Sequence, residues 1–561
     1  MKNMLLFILF WPVITFAQFT EINVVKEACN KDKGVVVSAH PLASEVGAGI
    51  LRLGGNAFDA AVATQLALSV VYPQAGNLGG GGFLVAVKSS GEKFTLDYRE
   101  TAPAKASRDM YLDRQGNADT DLSQNGRLAV GVPGSVAGMF ATLKHCNLPM
   151  DVLIQPAIEL AAKGFTITAR EAALLNREMP QFNKHNTIRS VFQKKELWKK
   201  GDLLVQRELA ETLTRIQKDG AKGFYEGKTA ELIVAEMKRG NGIIELQDLR
   251  NYKAVERQPL LFRYKENEIV SMPLPSSGGI LLAQMLKMSD FENLGKFTHN
   301  SPEAVQIMVE AERRAFADRA EFMGDPDFIE DRTQMLISEE YLKKRWENFD
   351  RNFASPSAAV GKITALPEES VETTHISILD WEGNAVSVTT TLNGLYGSKV
   401  VIAGAGFFMN NEMDDFSVKP GVPNMFGAVG SEANAIQPGK RMLSSMTPTI
   451  VMKKGKPFII VGTPGGTTIP TSVFQSIVNI VDFGLNPSEA VNSPKFHHQW
   501  LPEGVLVERT FPEKTIESLI KKNYSFVKTE QIGRTELIVV DDTGMTTAIA
   551  DSRGDDSVGL E

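Results

Sequence analysis

Apolar and polar residues alternate in "THISIL" and again in "NAVSVTTTL", with Asp380–Gly383 between them. That period of two predicts a β-hairpin in which Ile376 and Ile378 share a face with Val386 and Val388. "PTIVMK", a Lys-Gly-Lys turn and "PFIIVG" predict a second hairpin over 448–462. Upstream the pattern is helical. "HPLASEVGAGILRLGGNAFDAAVATQLALSVVYP" (40–73) reads as two helical segments, the first ended by Gly54 and Gly55. The second, from Ala57 to Val71, carries small and apolar residues all round, as a buried helix does. "NLGGGGFLVAV" (77–87) gives a glycine loop and an apolar strand. No Lys-Ser/Thr follows the glycines, so a close-packed turn is expected there rather than a phosphate cradle.

Residues 130–240 read as mainly helical. "SPEAVQIMVEAERRAFADRAEFM" (301–323) opens with Ser301 as N-cap and Pro302 at N1. Its charges gather on one side, which predicts a solvated face. The character changes after 350. "RNFASPSAAVGKITALPEESVE" (351–372) is polar and rich in small residues, reads as an exposed or mobile segment, and ends directly before Thr373. Helices followed by antiparallel hairpins suggest layers of helix around sheet.

Bulk properties narrow the function. A chain of 561 residues can bury a large core, and its net charge is −7 with no long basic run. Nucleic acid and anionic membrane are therefore not expected as main partners. The seven histidines form no HExxH or Cys/His zinc pattern, although His497 and His498 are adjacent. Cys29 and Cys146 do not amount to a disulfide framework, and whether they pair is open. At the start, Lys2 precedes "MLLFILFWPVITFAQ", an apolar stretch too short for a membrane span, with a small residue at Ala17. This predicts a signal peptide over 1–17 and an exported mature chain, periplasmic or secreted.

Thr373 and Thr374 raise the chemical question. Threonine is a weak nucleophile until a base takes its proton. A chain-terminal threonine carries that base on itself, because an α-amine titrates at roughly 7.7–8.0. An internal one has only an amide nitrogen. A catalytic Thr373 therefore requires cleavage of the Glu372–Thr373 bond. The residues alone also allow two ordinary strand threonines.

Longer motifs favour the first alternative. "ETTHISILDWEGNAVSVTTTLN", "NNEMDDFSVKPGVPN", "RMLSSMTPTIV" and "GTPGG" follow one another in that order, with "LDYRETAP" (96–103) and "MPLPSSGGI" (272–280) upstream and "FHHQWLP" (496–502) downstream. Together with the glycine loop they resemble the γ-glutamyltranspeptidase family of N-terminal-nucleophile hydrolases, over nearly the whole mature chain. The resemblance implies an α+β fold, a four-layer αββα sandwich of two stacked antiparallel sheets flanked by helices. It implies a precursor that cuts itself between 372 and 373. The products would be a large subunit, 18–372, and a small subunit, 373–561, associated as a heterodimer in one shared fold. It also implies a γ-glutamyltransferase and glutathione hydrolase. Such an enzyme cleaves γ-glutamyl amides through an ester on Thr373 and passes the group to water, amino acids or dipeptides. No metal or organic cofactor is required, and no membrane anchor remains after signal removal.

The same resemblance assigns residues. Thr391 matches a second threonine that bonds the nucleophile, and Gly465 and Gly466 match an oxyanion hole of backbone N–H groups. Arg99, Ser444 and Ser445 match the site of the donor's α-carboxylate. Asn393, Glu412 and Asp415 match substrate-binding residues, the two acids holding the α-ammonium; Asp414 reads as part of a solvated acidic loop. Segment 419–442 resembles a lid, but Phe426 stands where many family members have tyrosine, so a lid hydrogen bond there is in doubt. The acidic end "ADSRGDDSVGLE" replaces a usual glycine-rich one, without an expected effect on catalysis. Two rival readings remain: a cephalosporin (glutaryl) acylase, and an uncleaved homologue that binds γ-glutamyl ligands without turnover.

Overall fold

The hairpin read from the alternating pattern forms as Thr374–Leu379 paired antiparallel with Ala385–Thr391. Both strands are buried on both faces. Ile376, Ile378, Val386 and Val388 join the core beneath the helices Pro41–Arg52 and Ala57–Val71. The polar alternates do not meet solvent. Ser377 Oγ donates to the Glu536 carbonyl at 2.9 Å, and Ser387 Oγ to that of Val461 at 3.1 Å, both on strands of another sheet. The period of two therefore separates two interiors rather than inside from outside.

The computed structural model describes residues 23–360 and 373–561. The expected signal peptide and Glu372, on the acyl side of the expected cut, lie outside the described residues.

Two seven-stranded antiparallel sheets stack on one another. One runs Ser557–Leu560, Val35–Ser38, Thr374–Leu379, Ala385–Thr391, Gly81–Val87, Lys93–Asp97, Val255–Arg257. The other runs Glu27–Asn30, Thr546–Ala550, Glu536–Val540, Lys456–Gly462, Thr449–Lys453, Asn267–Ser271, Leu260–Tyr264. Val37, Phe83 and Val85 of the first meet Val270, Ile450 and Ile538 of the second in the layer between them. The helices Gly278–Phe291, Pro302–Phe322 and Thr468–Val481 cover the outer face of the second sheet. The result is the four-layer αββα order.

Local signals place the helices. Asn56 caps Ala57–Val71 through a capping box with Asp59, and every residue of that helix is buried. Ser301 Oγ accepts from the Ala304 N–H, with Pro302 at the first helical position. The glycine run is a close-packed turn, since a Cβ on Gly80 would lie 2.0 Å from the Thr391 carbonyl oxygen.

One expectation is corrected. The charged side of Pro302–Phe322 is not solvated: Glu310, Glu312, Arg313, Arg314, Asp318 and Arg319 are all buried. They face other chain segments instead of water. Arg314, paired with Glu310 on its own helix, also donates to Asn348 at 2.6 Å, and Arg313 pairs with Glu503 at 2.5 Å. The segment 351–372 is largely exposed in its described part, as expected, and is tied down at Ser357. Ser357 Oγ donates to the Trp500 carbonyl at 2.7 Å and the Trp500 indole N–H returns a bond to the Ser357 carbonyl at 2.9 Å. Residues 361–372 of that segment lie outside the described residues. Cys29 and Cys146 are both free thiols. Among the described residues no helix is long and apolar enough to cross a membrane.

Candidate active site

Strand register brings the two expected threonines together. Thr374 stands opposite Thr390, so Thr373 and Thr391 are neighbours at the ends of adjacent strands. Their hydroxyl oxygens are 3.3 Å apart, and both residues are buried. Beyond Thr391 the chain turns at Asn393, a non-glycine residue at φ 74°. The Asn393 N–H donates to Thr391 Oγ1 at 2.8 Å, and its side-chain amide donates to the Asn411 carbonyl at 3.1 Å. Asn77, from the glycine loop, supports the strand end by donating to the Thr391 carbonyl at 2.9 Å.

Gly465 and Gly466 lie between the strand Lys456–Gly462 and the helix Thr468–Val481, with φ of 141° and 55°. Residues with side chains rarely adopt such angles. The start of the following helix adds a positive partial charge beside them.

Opposite charges cluster against the same cleft. The guanidinium of Arg99 forms ion pairs with Glu412 and Asp415, and its Nε donates to the Met442 carbonyl at 3.2 Å. Glu412 and Asp415 open and close one 3₁₀ turn, whose i, i+3 spacing puts both acids on one side. Burial pushes the Glu412 carboxyl up to about 8, against the pull of Arg99. Burial likewise raises Asp415. The same burial would lower Arg99, but Glu412, Asp415 and Glu100 outweigh it and hold the guanidinium above its usual value.

The cleft, of about 320 Å³, is lined by Arg99, Thr373, Thr391, Asn393, Glu412, Asp415, Ser444, Ser445 and Gly466. All the expected site residues except Gly465 therefore border one cavity, and Gly465 adjoins it in sequence. Ser444 is fixed from behind: the Ser277 N–H and hydroxyl both donate to its carbonyl, at 2.8 and 2.7 Å.

Several residues at the site were not singled out from the sequence. Arg319 and Asn424 line the cleft. Glu100 is fully buried beside Arg99, with neither carboxyl oxygen hydrogen-bonded among the described residues. Burial and the charge of Glu412 push its carboxyl well above the usual carboxylate range, while Arg99 pulls it down. Asp414 is corrected: it is buried rather than solvated, accepts from Ser123 Oγ and from the Met425 N–H, the latter at 2.8 Å, and burial lifts it to about 7. It ties down the segment 419–442, whose Asn424 donates to Asp415 at 2.9 Å. The ring of Phe426 packs on Gly466 so closely that a Cβ there would fall 2.5 Å from it. The Phe426 carbonyl accepts from Gln499 at 3.0 Å, so this segment is held at that point through its backbone. Glu100 lies in "LDYRETAP", Asp414 and Asn424 in "NNEMDDFSVKPGVPN" and Gln499 in "FHHQWLP", whereas Arg319 lies in none of these strings.

His497 and His498 are buried in separate hydrogen-bond sets: His497 Nδ1 with Thr471 at 2.8 Å, and His498 Nε2 with the Glu503 carbonyl at 3.0 Å. Among the described residues no cluster of three or more His, Cys, Asp or Glu could hold a metal. The arrangement offers a hydroxyl nucleophile, turn glycines for a developing oxyanion, and paired charges for a ligand bearing both signs.

Comparison with known proteins follows that chemistry. The Gamma-glutamyltranspeptidase family profile matches residues 43–560. The Glutathione hydrolase proenzyme of Escherichia coli (strain K12) is 45% identical over 529 residues, covering 94% of this chain and 91% of that protein. The crystal structure of Helicobacter pylori gamma-glutamyltranspeptidase superposes with a TM-score of 0.58 at 43% identity, over 60% of this chain and 99% of the other. That of a cephalosporin acylase from Bacillus halodurans gives a TM-score of 0.83 at 25% identity, over 98% and 99% of the two chains.

Proposed function

The chain belongs to the gamma-glutamyltranspeptidase family, and on that premise we propose that Thr373 is the nucleophile of a self-processing γ-glutamyltransferase and glutathione hydrolase. The observation that carries this reading is one cleft shared by the Thr373–Thr391 hydroxyl pair and the Arg99–Glu412–Asp415 charge cluster.

In the first reaction the Thr373 hydroxyl attacks the Glu372 carbonyl, and water resolves the ester to give 18–372 and 373–561. The term proenzyme in the E. coli relative's name supports this step. The pieces stay together because Thr374–Leu379 pairs with Val35–Ser38 and Ala385–Thr391 pairs with Gly81–Val87, strands of the other piece. Processing frees the Thr373 α-amine, which then serves as the base.

In turnover, Thr373 Oγ1 attacks the γ-carbonyl of a γ-glutamyl amide and its proton passes to the α-amine. Gly465 and Gly466 N–H groups take the charge that develops on the carbonyl oxygen. Collapse expels the amine with that proton, Cys-Gly when the donor is glutathione, and leaves the γ-glutamyl ester on Thr373. Water then gives glutamate, or an amino acid or dipeptide amine gives the transfer product. Arg99, Ser444 and Ser445 take the donor's α-carboxylate; Glu412, Asp415 and Asn393 take its α-ammonium. The enzyme acts after export, in a periplasm or outside the cell.

Gel electrophoresis of the purified mature protein, with N-terminal sequencing, tests the reading. The expected result is two bands, the smaller beginning at Thr373. A fully active protein with one intact band would overturn it. The likeness to a cephalosporin acylase keeps a glutaryl-acylase reading in view. Two buried acids in the cleft favour a donor with an ammonium, so γ-glutamyl anilide should be preferred over glutaryl anilide.

A further inference from the structure

Arg319 projects from the helix Pro302–Phe322 into the cleft and is only 6% exposed. Its one side-chain hydrogen bond among the described residues runs from Nε to Ser277 Oγ, at 3.1 Å. No carboxylate of the described residues pairs with it within the salt-bridge distance of 4.0 Å. Its terminal nitrogens are not among the buried polar atoms left without a partner, so they open onto the cleft, where an anion can meet them. Burial lowers it to about 10, Asp415 pulling it up and Arg99 pushing it down, so it stays charged at neutral pH.

Its position suggests which anion. Ser277, which accepts from Arg319, donates its own hydroxyl hydrogen to the Ser444 carbonyl. Arg319 is thereby fixed on the Ser444 side of the cleft. Arg99 spends three of its five N–H groups on the cleft wall, Nε on Met442 and one from each terminal nitrogen on Glu412 and Asp415, which leaves two for a ligand carboxylate. Asp415, whose charge acts on Arg319, is committed to Arg99 and Asn424.

We propose that Arg319 is a second carboxylate-binding residue of this cleft, which together with Arg99 and Ser444 holds the α-carboxylate of the γ-glutamyl donor. The assignment rests on the γ-glutamyl reading of the site. It explains how a pocket whose own charges are paired still has cationic donors for an incoming carboxylate.

The test compares cleaved wild type, Arg319→Met and Arg319→Lys on two substrates. One is γ-glutamyl anilide. The other is 4-aminobutyryl anilide, which keeps the chain and ammonium but lacks the α-carboxylate, assayed as kcat/KM with enzyme in excess. Arg319→Met should lower kcat/KM for γ-glutamyl anilide about 30-fold or more, mostly through KM. The same variant should leave 4-aminobutyryl anilide within about 3-fold, since no carboxylate is there to lose. Arg319→Lys should recover part of the loss. Equal losses on both substrates, or unchanged KM for γ-glutamyl anilide, would overturn the proposal. Should Arg319→Met fail to fold or cleave, Arg319→Lys decides alone, with a several-fold rise in KM for γ-glutamyl anilide only. A wild-type protein that does not turn over γ-glutamyl anilide would instead bring down the functional reading itself.

Discussion

Arg99 and Glu412, fully buried and 313 positions apart, form an ion pair across the wall of the cleft. Asp415 shares the same guanidinium. A pocket whose own charges are joined suits a ligand that brings one of each sign. A zwitterion can give its carboxylate to the cationic side and its ammonium to the acids, leaving no buried charge without a partner. A ligand with a carboxylate alone draws Arg99 from two acids and returns nothing to them. Selectivity for γ-glutamyl over glutaryl groups then arises from the penalty on the wrong ligand as much as from attraction to the right one.

Arg99→Ala removes the cation these acids share. Self-cleavage should persist, because it needs Thr373 rather than the charged cluster. KM for a γ-glutamyl donor should rise about 100-fold, the ~3 kcal/mol typical of truncating one partner of a buried pair. Steady-state kinetics on the cleaved variant reads this, and an unchanged KM would remove Arg99 from donor binding.

Glu412 gives the site a pH dependence. Burial raises its carboxyl to about 8, so it takes up a proton more readily than an ordinary carboxylate as pH falls, and the protonated form receives an ammonium less well. Glutamate affinity should therefore strengthen as pH rises from 6 to 8, by at most about tenfold per unit for one linked proton, and level off above. An unperturbed α-amine titrates at roughly 7.7–8.0, within the same interval, so the freed Thr373 amine is a second contributor to allow for. Calorimetric binding of glutamate to wild type and Glu412→Gln separates the two, since only the Glu412 component vanishes in the variant. Identical slopes would exclude it.

Asp414 links pH to stability. Its carboxyl is held near 7 by burial, against an ordinary 3.8. The folded chain thus keeps a proton that the unfolded chain releases. This contribution to stability is complete below about pH 4 and is lost as pH rises through about 7. Asp414→Asn has no proton to release. Thermal unfolding should show the variant gaining on wild type between pH 4 and 7, with the difference constant beyond. Parallel curves across that window would refute the assignment.

The sequence exposed what is local. The alternation at 374–391 marked its hairpin, Ser301 and Pro302 marked a helix start, and short strings marked residues that meet at the cleft. It could not say what the polar alternates of those strands face, because burial under a second sheet leaves the same pattern as solvent. The charged side of Pro302–Phe322 misled for a related reason: charges matched by distant partners look, in sequence, like charges matched by water. Arg319 was hidden in that stripe, and Asp414 in an acidic run of the kind that is usually solvated. Which acid meets which base depends on chain contacts hundreds of residues apart, and no periodicity records them.

Thr391 gives the sharpest test of the nucleophile's surroundings. Its Oγ1 accepts from the Asn393 N–H at 2.8 Å, so it can turn its own hydrogen toward Thr373 Oγ1, 3.3 Å away. Such a donor stabilises the alkoxide character that develops as Thr373 attacks, and it acts in self-cleavage and in turnover alike. Thr391→Ser keeps both hydrogen bonds and should stay within a few-fold of wild type. Thr391→Ala removes the donor and leaves the Asn393 N–H without its acceptor. It should lower kcat by about 10²–10³, the usual range for one lost transition-state hydrogen bond, with little change in KM. Processing, followed as band conversion on a gel, should slow in parallel. If Thr391→Ala cuts itself at the wild-type rate while turnover falls, the hydroxyl serves only donor positioning. If both rates are unchanged, the contact between the two threonines is packing and nothing more.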